Sequence, residues 1–145
     1  MTETPDQYDA TELSPPVVTV QAIHDFYLYA VLGMLEHAKD DSSVGVSFNV
    51  NGGLVYGQLI KRSVWQKLWL AEVSQASQFA GDVLSQITQL TDAEDTEDEA
   101  DQPLNFHFVH LKDATFLSGG ARQYLGLWRG AMAQIGGWSN STPAE

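Results

Sequence analysis

The sequence predicts an α+β domain in which an N-terminal helix and a second, longer helix pack on a strongly bent, antiparallel small β-barrel. Apolar residues recur at helical spacing downstream of residue 17 and again downstream of Ser63, and between these stretches they alternate with polar residues on both sides of Asn51-Gly52. A chain of 145 residues has room for one hydrophobic core of this kind.

The predicted domain spans residues 17–138. Residues 1–16 are acidic and polar and end in Pro15-Pro16, and residues 139–145 are SNSTPAE, so both segments are expected to be disordered tails. The absence of cysteine excludes disulfides and thiolate metal sites. We expect a cytoplasmic protein without a membrane partner, because the sequence shows neither a secretory signal pattern nor an apolar run long enough to span a bilayer.

Negative charge is concentrated in two segments. The formal net charge is -12, but the acidic residues that lack neighbouring bases lie in the N-terminal tail and in one acidic run, so the rest of the chain is close to neutral. We interpret the run as a flexible acidic loop over 91–103 that keeps the protein in solution, or alternatively as an electrostatic spacer. This balance argues against nucleic acid as a partner. The acidic residues are Glu3, Asp6, Asp9 and Glu12 in the tail and Asp92, Glu94, Asp95, Glu97, Asp98, Glu99 and Asp101 in the run.

The first helix is expected to begin near Val17, with Thr19 as a possible N-cap, and to end at the polar cluster 39–43. Its apolar residues are spaced by three and four positions, which predicts a single buried face. The residues of this face would be Ile23, Phe26, Tyr27, Ala30, Val31, Met34, Leu35 and Ala38.

A β-hairpin is predicted around Asn51-Gly52, the pair favoured by two-residue type I′ turns. Gly57 would then face Val46 across the hairpin, at a position where the strand bends sharply or another backbone approaches closely. The facing pairs on one side of the sheet would be Val50 with Gly53, Phe48 with Val55, Val46 with Gly57 and Val44 with Leu59.

The second helix is predicted from an N-cap at Ser63 to about Leu90, with Gly81 as a point where it divides. Its apolar stripe, interpreted mainly as core, comprises Trp65, Trp69, Val73, Ala76, Ala80, Val83, Leu84 and Ile87.

The rest of the domain is expected to consist of strands. Order returns at Pro103, the chain turns tightly near Lys112-Asp113, and residues 118–120 open a loop. Residues 124–135 form a last strand or strand pair, and Gly136-Gly137-Trp138 ends the domain.

No sequence pattern indicates catalysis, a bound metal or a cofactor. His107 and His110 are three positions apart on a predicted strand and therefore point to opposite faces. Ser118 lies beside Gly119-Gly120, but the chain contains no nucleophile elbow, phosphate-binding loop or dinucleotide fingerprint. We therefore predict a non-enzymatic protein.

Two segments together are similar to the halves of a known small barrel. The Asn-Gly turn followed by Gly57-Gln58-Leu59, and the late segment LWRGAMAQIG at 127–136 with its central Gly130, resemble the Sm-like fold, a relative of SH3-like barrels. This resemblance implies an RNA-binding module as an alternative function. The chain has Ser63 where RNA-binding Sm proteins carry an acidic residue, which weakens that alternative.

Three blocks taken together resemble a gas vesicle accessory protein of the U type. They are FNVNGGLVYGQLI at 48–60, FHFVHLKDATFLSGG at 106–120 and LWRGAMAQIGGW at 127–138. The resemblance implies a non-enzymatic cytoplasmic factor in the assembly, organisation or clustering of gas vesicles, hollow protein-shelled buoyancy organelles. The implied partners are the vesicle shell, other accessory proteins, and further copies of the chain in a homo-oligomer.

The third block also contains the candidate interaction residues. Trp128, Arg129 and Trp138 lie in or beside it, and tryptophan and arginine are over-represented at interface hot spots. We expect the loops around the two tryptophans to contact the partner.

Overall fold

Three α-helices and five β-strands make up the part of the chain that the computed structural model describes, residues 25–98 and 106–143. Side chains are described for these ranges except over 91–98. The predicted N-terminal tail, Thr19 and Ile23 lie outside the described residues. The elements are α1 (Phe26–Glu36), β1 (Val44–Val50), β2 (Gly53–Leu59), α2 (Arg62–Ala76), α3 (Gln78–Asp98), β3 (Phe108–Ser118), β4 (Ala121–Ala131), a 3-10 turn (Met132–Gln134) and β5 (Gly137–Ser139).

The five strands form one antiparallel sheet in the order β4-β3-β2-β1-β5. The α+β prediction is confirmed, but the closed barrel is not, because β4 and β5 lie at opposite edges of this open sheet. The strand β5 has three residues and pairs only with β1 in the described structure. A strand this short offers few backbone groups with which a second neighbour could close the ring.

The β1–β2 hairpin has the predicted register, from Val50 opposite Gly53 to Val44 opposite Leu59. The predicted type I′ turn is wrong. Gly52 has a φ of 92°, but Asn51 is not among the described residues with positive φ, and this combination belongs to a type II turn. A turn with positive φ at both central residues occurs instead between β3 and β4, where Gly119 and Gly120 have φ values of 57° and 80°.

The tight turn predicted near Lys112-Asp113 is a bulge inside one continuous strand. Asp113 has a φ of 51°, and the register of β3 shifts there against both neighbouring strands. The bulge lies against Gly57, where an added Cβ would be 2.8 Å from the Lys112 carbonyl oxygen and 3.0 Å from the Ala114 Cα. The strand therefore bends rather than reversing, and this close backbone contact requires glycine at position 57.

Helix α1 covers one face of the sheet, but only part of the predicted stripe faces inward: Leu35 is buried and Val31 packs against the core as predicted. Leu28, Leu32 and Leu35 are buried, whereas Phe26, Tyr27 and Met34 are at least 74% exposed. The segment is apolar around most of its circumference, so spacing alone could not select the inward face. Asp25 fixes its start: the carboxylate caps the helix by accepting from the Tyr27 and Leu28 N–H groups and also accepts from the Trp138 indole N–H at 2.7 Å.

The core lies between α1 and this face of the sheet. It is centred on fully buried apolar side chains from the middle three strands. The strand residues of this core are Val46, Phe48, Val55, Leu59, Val109, Leu111 and Ala114.

The second predicted helix is divided, but at Ser77 rather than at Gly81. Ser77 is extended, ends α2 and caps α3 through its side chain, which accepts from the Ala80 N–H. Gly81 instead lets the two helices approach, since an added Cβ would be 2.9 Å from the Ser74 Cα. Ser63 is not an N-cap, because α2 begins at Arg62 after the extended residue Lys61.

The acidic run and the C-terminal tail are more ordered than the sequence suggested. Helix α3 continues to Asp98, so the predicted loop is wrong over 91–98, and residues 99–105 lie outside the described part. The predicted C-terminal tail also begins too early, since Ser139 belongs to β5 and the Ser141 carbonyl accepts from the Ser47 hydroxyl.

Replacing Gly57 by alanine is expected to destabilise the fold by about 1 to 3 kcal/mol, because the new methyl group would overlap the bulge backbone. Gly45→Ala is the matched control on the neighbouring strand, where a Cβ would meet only the Gln58 amide, at 3.6 Å. Urea unfolding followed by circular dichroism measures both. Equal stabilities of the two variants would contradict the proposed role of the bulge contact.

Candidate functional site

The helical pair α2–α3 meets the sheet on the face opposite α1. His110 lies between Val109 and Leu111 on β3, so its side chain leaves the strand on the side away from the core. Trp65 of α2 packs on this imidazole with ring centroids 5.2 Å apart. Lys61 holds the start of α2 near the end of α1, because its ammonium binds the Ala38 carbonyl and lies 3.0 Å from the Asp40 carboxylate.

A cleft of about 320 Å³ opens between these helices and the strands β3 and β4. The residues around it combine aromatic rings, arginine and one histidine. Those that define its chemistry are Arg62, Trp65, Trp69, Ile87, His110 and Arg129.

Stacked indoles form one wall of the cleft. The Trp65 and Trp69 rings are 5.4 Å apart and inclined by 23°. Trp65 is 8% exposed, and its indole N–H has no hydrogen-bond partner among the described residues. A buried donor without an acceptor costs about 1 to 3 kcal/mol.

His110 and Arg129 form the opposite wall. The Arg129 Nε donates to His110 Nε2 at 3.2 Å, and its guanidinium lies 3.7 Å from the centroid of the Phe108 ring. An accepting Nε2 requires a neutral imidazole. Burial and, to a smaller extent, the charges of Arg129 and Arg62 together lower the pKa of His110 to about 4. Burial also lowers the pKa of Arg129, with a smaller contribution from Arg62.

This arrangement suits binding rather than catalysis. The imidazole is neutral near pH 7 and already engaged by Arg129, whereas the Arg129 guanidinium is positively charged and has further N–H donors for an anion. The aromatic wall adds an apolar surface for the body of the same ligand. Within the described ranges, no group of three or more acidic or histidine side chains could hold a metal ion.

The predicted interaction residues point in different directions. Trp128 packs towards the core beside Phe48, with ring centroids 6.5 Å apart, while the adjacent Arg129 reaches the cleft. The half-buried Trp138 is joined to Asp25 at the start of α1. The Trp128 ring covers Gly130, where any Cβ would collide with it. The structure therefore brings Arg129 alone of the three into the cleft.

A second surface lies on the outside of α3. Phe79, Val83, Ile87 and Leu90 are spaced by four, four and three residues and are 79%, 40%, 51% and 69% exposed. We call these four residues the α3 stripe. Val83 and Ile87 were predicted to be core, but α3 contacts α2 through a different face that includes the buried Gly81.

A comparison with models of protein families assigns the chain to a family. The model of the family described as Gas vesicle protein GvpU-like matches residues 25–142. The chain belongs to this family. The match extends from the cap of α1 to just beyond β5, so it includes the cleft and the α3 stripe, and it confirms the resemblance seen in the sequence. No curated protein and no solved structure matches the chain significantly. No helix in the described part of this GvpU-like protein is long and apolar enough to cross a membrane.

The neutral His110 predicts a pH dependence of stability. The unfolded chain takes up a proton near the ordinary pKa of 6.5, whereas the folded protein resists this until about 4. The contribution of the neutral His110 to the free energy of unfolding is therefore fully present above pH 6.5. The free energy of unfolding is expected to fall by on the order of 3 kcal/mol as the pH drops to 4. His110→Gln, which keeps an acceptor for Arg129, should flatten this decline, while His107→Gln at an exposed neighbour should retain it. Urea unfolding across this pH range measures both variants. An equal pH dependence in the two would contradict the role assigned to His110.

Proposed function

We propose that this GvpU-like protein is a non-enzymatic cytoplasmic accessory factor that organises gas vesicles into clusters through protein contacts and self-association. The family supplies the link to gas vesicles. The observation that carries the proposal is the α3 stripe, an apolar surface on a helix whose other face is already used to pack on α2.

The α3 stripe suits pairing with the same stripe of a second copy. Its spacing places the four side chains on one side of the helix, so two α3 helices can pack face to face about a two-fold axis. Burying a fully exposed large apolar side chain contributes about 1.5 to 3 kcal/mol, and these four are only partly exposed. Association costs about 4 to 15 kcal/mol, so a dilute pair is weak. Many copies held on one vesicle would gain from multivalency.

Charge sets the conditions for this association. Each copy carries a formal charge of -12, so two copies repel at low ionic strength. Salt shortens the range of that repulsion to about 8 Å at 0.15 M and about 3 Å at 1 M. Clustering is therefore favoured as ionic strength rises, while the apolar contact itself is little affected by screening.

The contact with the vesicle shell or another accessory protein would use a separate surface. The β5 edge carries Trp138, and within the described residues this strand pairs on one side only, so a further strand could add to its outer side. Arg129 in the cleft offers a second point of contact. Separate surfaces for self-association and for vesicle binding would allow one copy to bridge two vesicles.

The double variant Phe79→Ser/Leu90→Ser tests the stripe. It is expected to remain folded, because both side chains are at least 69% exposed, and to lose association and vesicle clustering. Light scattering at increasing concentration and salt measures association, and microscopy of purified vesicles with added protein measures clustering. Co-sedimentation with single vesicles should persist, since the proposed shell contact lies elsewhere.

The matched control is Phe26→Ser/Met34→Ser, which removes similarly exposed apolar side chains from α1. This variant is expected to associate and cluster vesicles as the unmodified protein does. Loss of clustering in both double variants would show that the α3 stripe has no specific role. A monomer at every salt concentration, with no co-sedimentation, would refute the proposed function.

A further inference from the structure

Arg129 presents hydrogen-bond donors to the cleft. A guanidinium has five N–H donors, and the Nε donor of Arg129 is taken by the His110 ring at 3.2 Å. Among the residues whose side chains are described, its two terminal nitrogens have no hydrogen-bond or ion-pair partner. Arg62 also lines the cleft but has an interaction of its own, so Arg129 is the residue that supplies donors to a ligand.

The contact with His110 fixes how Arg129 can bind. Because Nε is held by the imidazole, the pair of parallel N–H groups left for a bidentate contact is the pair on the two terminal nitrogens. The Phe108 ring centroid, 3.7 Å from the guanidinium carbon, restricts the side chain further. A guanidinium held in one orientation loses little side-chain freedom on binding a carboxylate. The carboxylate is therefore the group that this end of the cleft fits best.

The apolar wall lies one imidazole away from this guanidinium. Trp65 packs on the His110 ring, Trp69 stacks on Trp65, and Ile87 lines the same cleft. The cleft volume of about 320 Å³ is at the small end of the range for ligand pockets, roughly 300 to 1,000 Å³. It holds one large apolar side chain beside a carboxylate, but not a longer segment of chain.

We propose that the cleft binds the C-terminal residue of a partner protein, a large apolar residue whose carboxylate lies on Arg129 and whose side chain contacts Trp69 and Ile87. Within a protein, only a C-terminal residue carries a carboxylate and a large apolar side chain on the same Cα, which is the compact pairing that this volume requires. Capture of a terminal carboxylate is an established mode of peptide recognition. The site rests on the vesicle contact of the proposed function, for which it specifies the chemistry of the partner at Arg129.

Two acetylated peptides test the proposal: Gly-Gly-Gly-Phe with a free C-terminal carboxylate, and the same peptide ending in a carboxamide. Each is titrated into the ¹⁵N-labelled full chain, and binding is followed by NMR at the indole N–H signals of the four tryptophans. The free acid is expected to shift the Trp65 and Trp69 signals but not that of Trp138, which does not line the cleft. The carboxamide should bind at least about tenfold more weakly, because it cannot form the charged bidentate contact.

Arginine variants locate the carboxylate. Arg129→Gln should weaken binding of the free acid at least about tenfold and leave binding of the carboxamide unchanged, whereas Arg129→Lys should restore part of the lost affinity. The matched control is Arg122→Gln, on the same strand but outside the residues that line the cleft. It should leave the binding of both peptides unchanged.

A further variant tests whether the chain fills the site with a carboxylate of its own. Asp92→Asn/Glu94→Gln/Asp95→Asn removes acidic groups from the part of α3 that follows Leu90. At 0.15 M salt, where charge effects are screened beyond about 8 Å, the affinity for the free acid is expected to remain within about twofold. A gain of about tenfold or more would assign Arg129 to an internal carboxylate and overturn the proposal.

Three other results would also overturn it. The two peptides could bind equally, or Arg129→Gln could weaken both to the same extent. An acetylated Gly-Asp-Phe-Gly carboxamide could bind more tightly than the free acid, which would assign the cleft to an internal acidic segment. None of these measurements uses vesicles. If the peptides fail while the protein still co-sediments with vesicles and clusters them, this site is refuted and the proposed function stands.

Discussion

The close contact between Gly57 and the bulge of β3 is the constraint on which the rest of the structure depends. The Lys112 and Asp113 carbonyl groups lie where a side chain at position 57 would be, so β2 and β3 bend together around α1. The pairing then continues to the end of β2, where the Ile60 N–H donates to the His110 carbonyl. Helix α2 begins two residues later, which places Trp65 directly over the His110 ring. One backbone contact thus determines both the curvature of the core face and the location of the cleft.

The two faces of the sheet use different physical interactions. The face covered by α1 is held by apolar burial, centred on Phe48, Leu59 and Leu111. The other face holds a neutral histidine between an arginine and a tryptophan. The imidazole stays neutral because burial disfavours its charged form and, to a smaller extent, because protonation would add a positive charge near Arg129 and Arg62. Such a polar cluster fixes the orientation of groups that can bind a ligand. The structure therefore places an apolar core and a polar cleft on opposite faces of one sheet.

The sequence predicted those features that depend on local periodicity or on one residue pair. The hairpin register follows from period-two alternation around Asn51-Gly52, although the same pair is compatible with more than one turn type. The inward face of α1 was not predictable, because Phe26 and Met34 are as apolar as the buried leucines. The helical acidic run was missed because charge was taken as evidence for a loop, although alanine and glutamate favour helices. The cleft could not be found from sequence, since Trp65, His110 and Arg129 meet only through sheet pairing. The two tryptophans four residues apart in α2 were the available signal.

The position of Ile87 couples the two proposed surfaces. This residue belongs to the α3 stripe and also lines the cleft, so a ligand in the cleft lies beside the surface that would pair with a second copy. An anionic ligand bound there would add negative charge next to the apolar contact and would oppose the approach of another chain, which carries its own negative charge. Salt would weaken both the binding of such a ligand and the repulsion between copies. Both effects favour association as the salt concentration rises. The transition from separate to associated molecules would therefore depend more steeply on ionic strength than if screening of the net charge were the only effect.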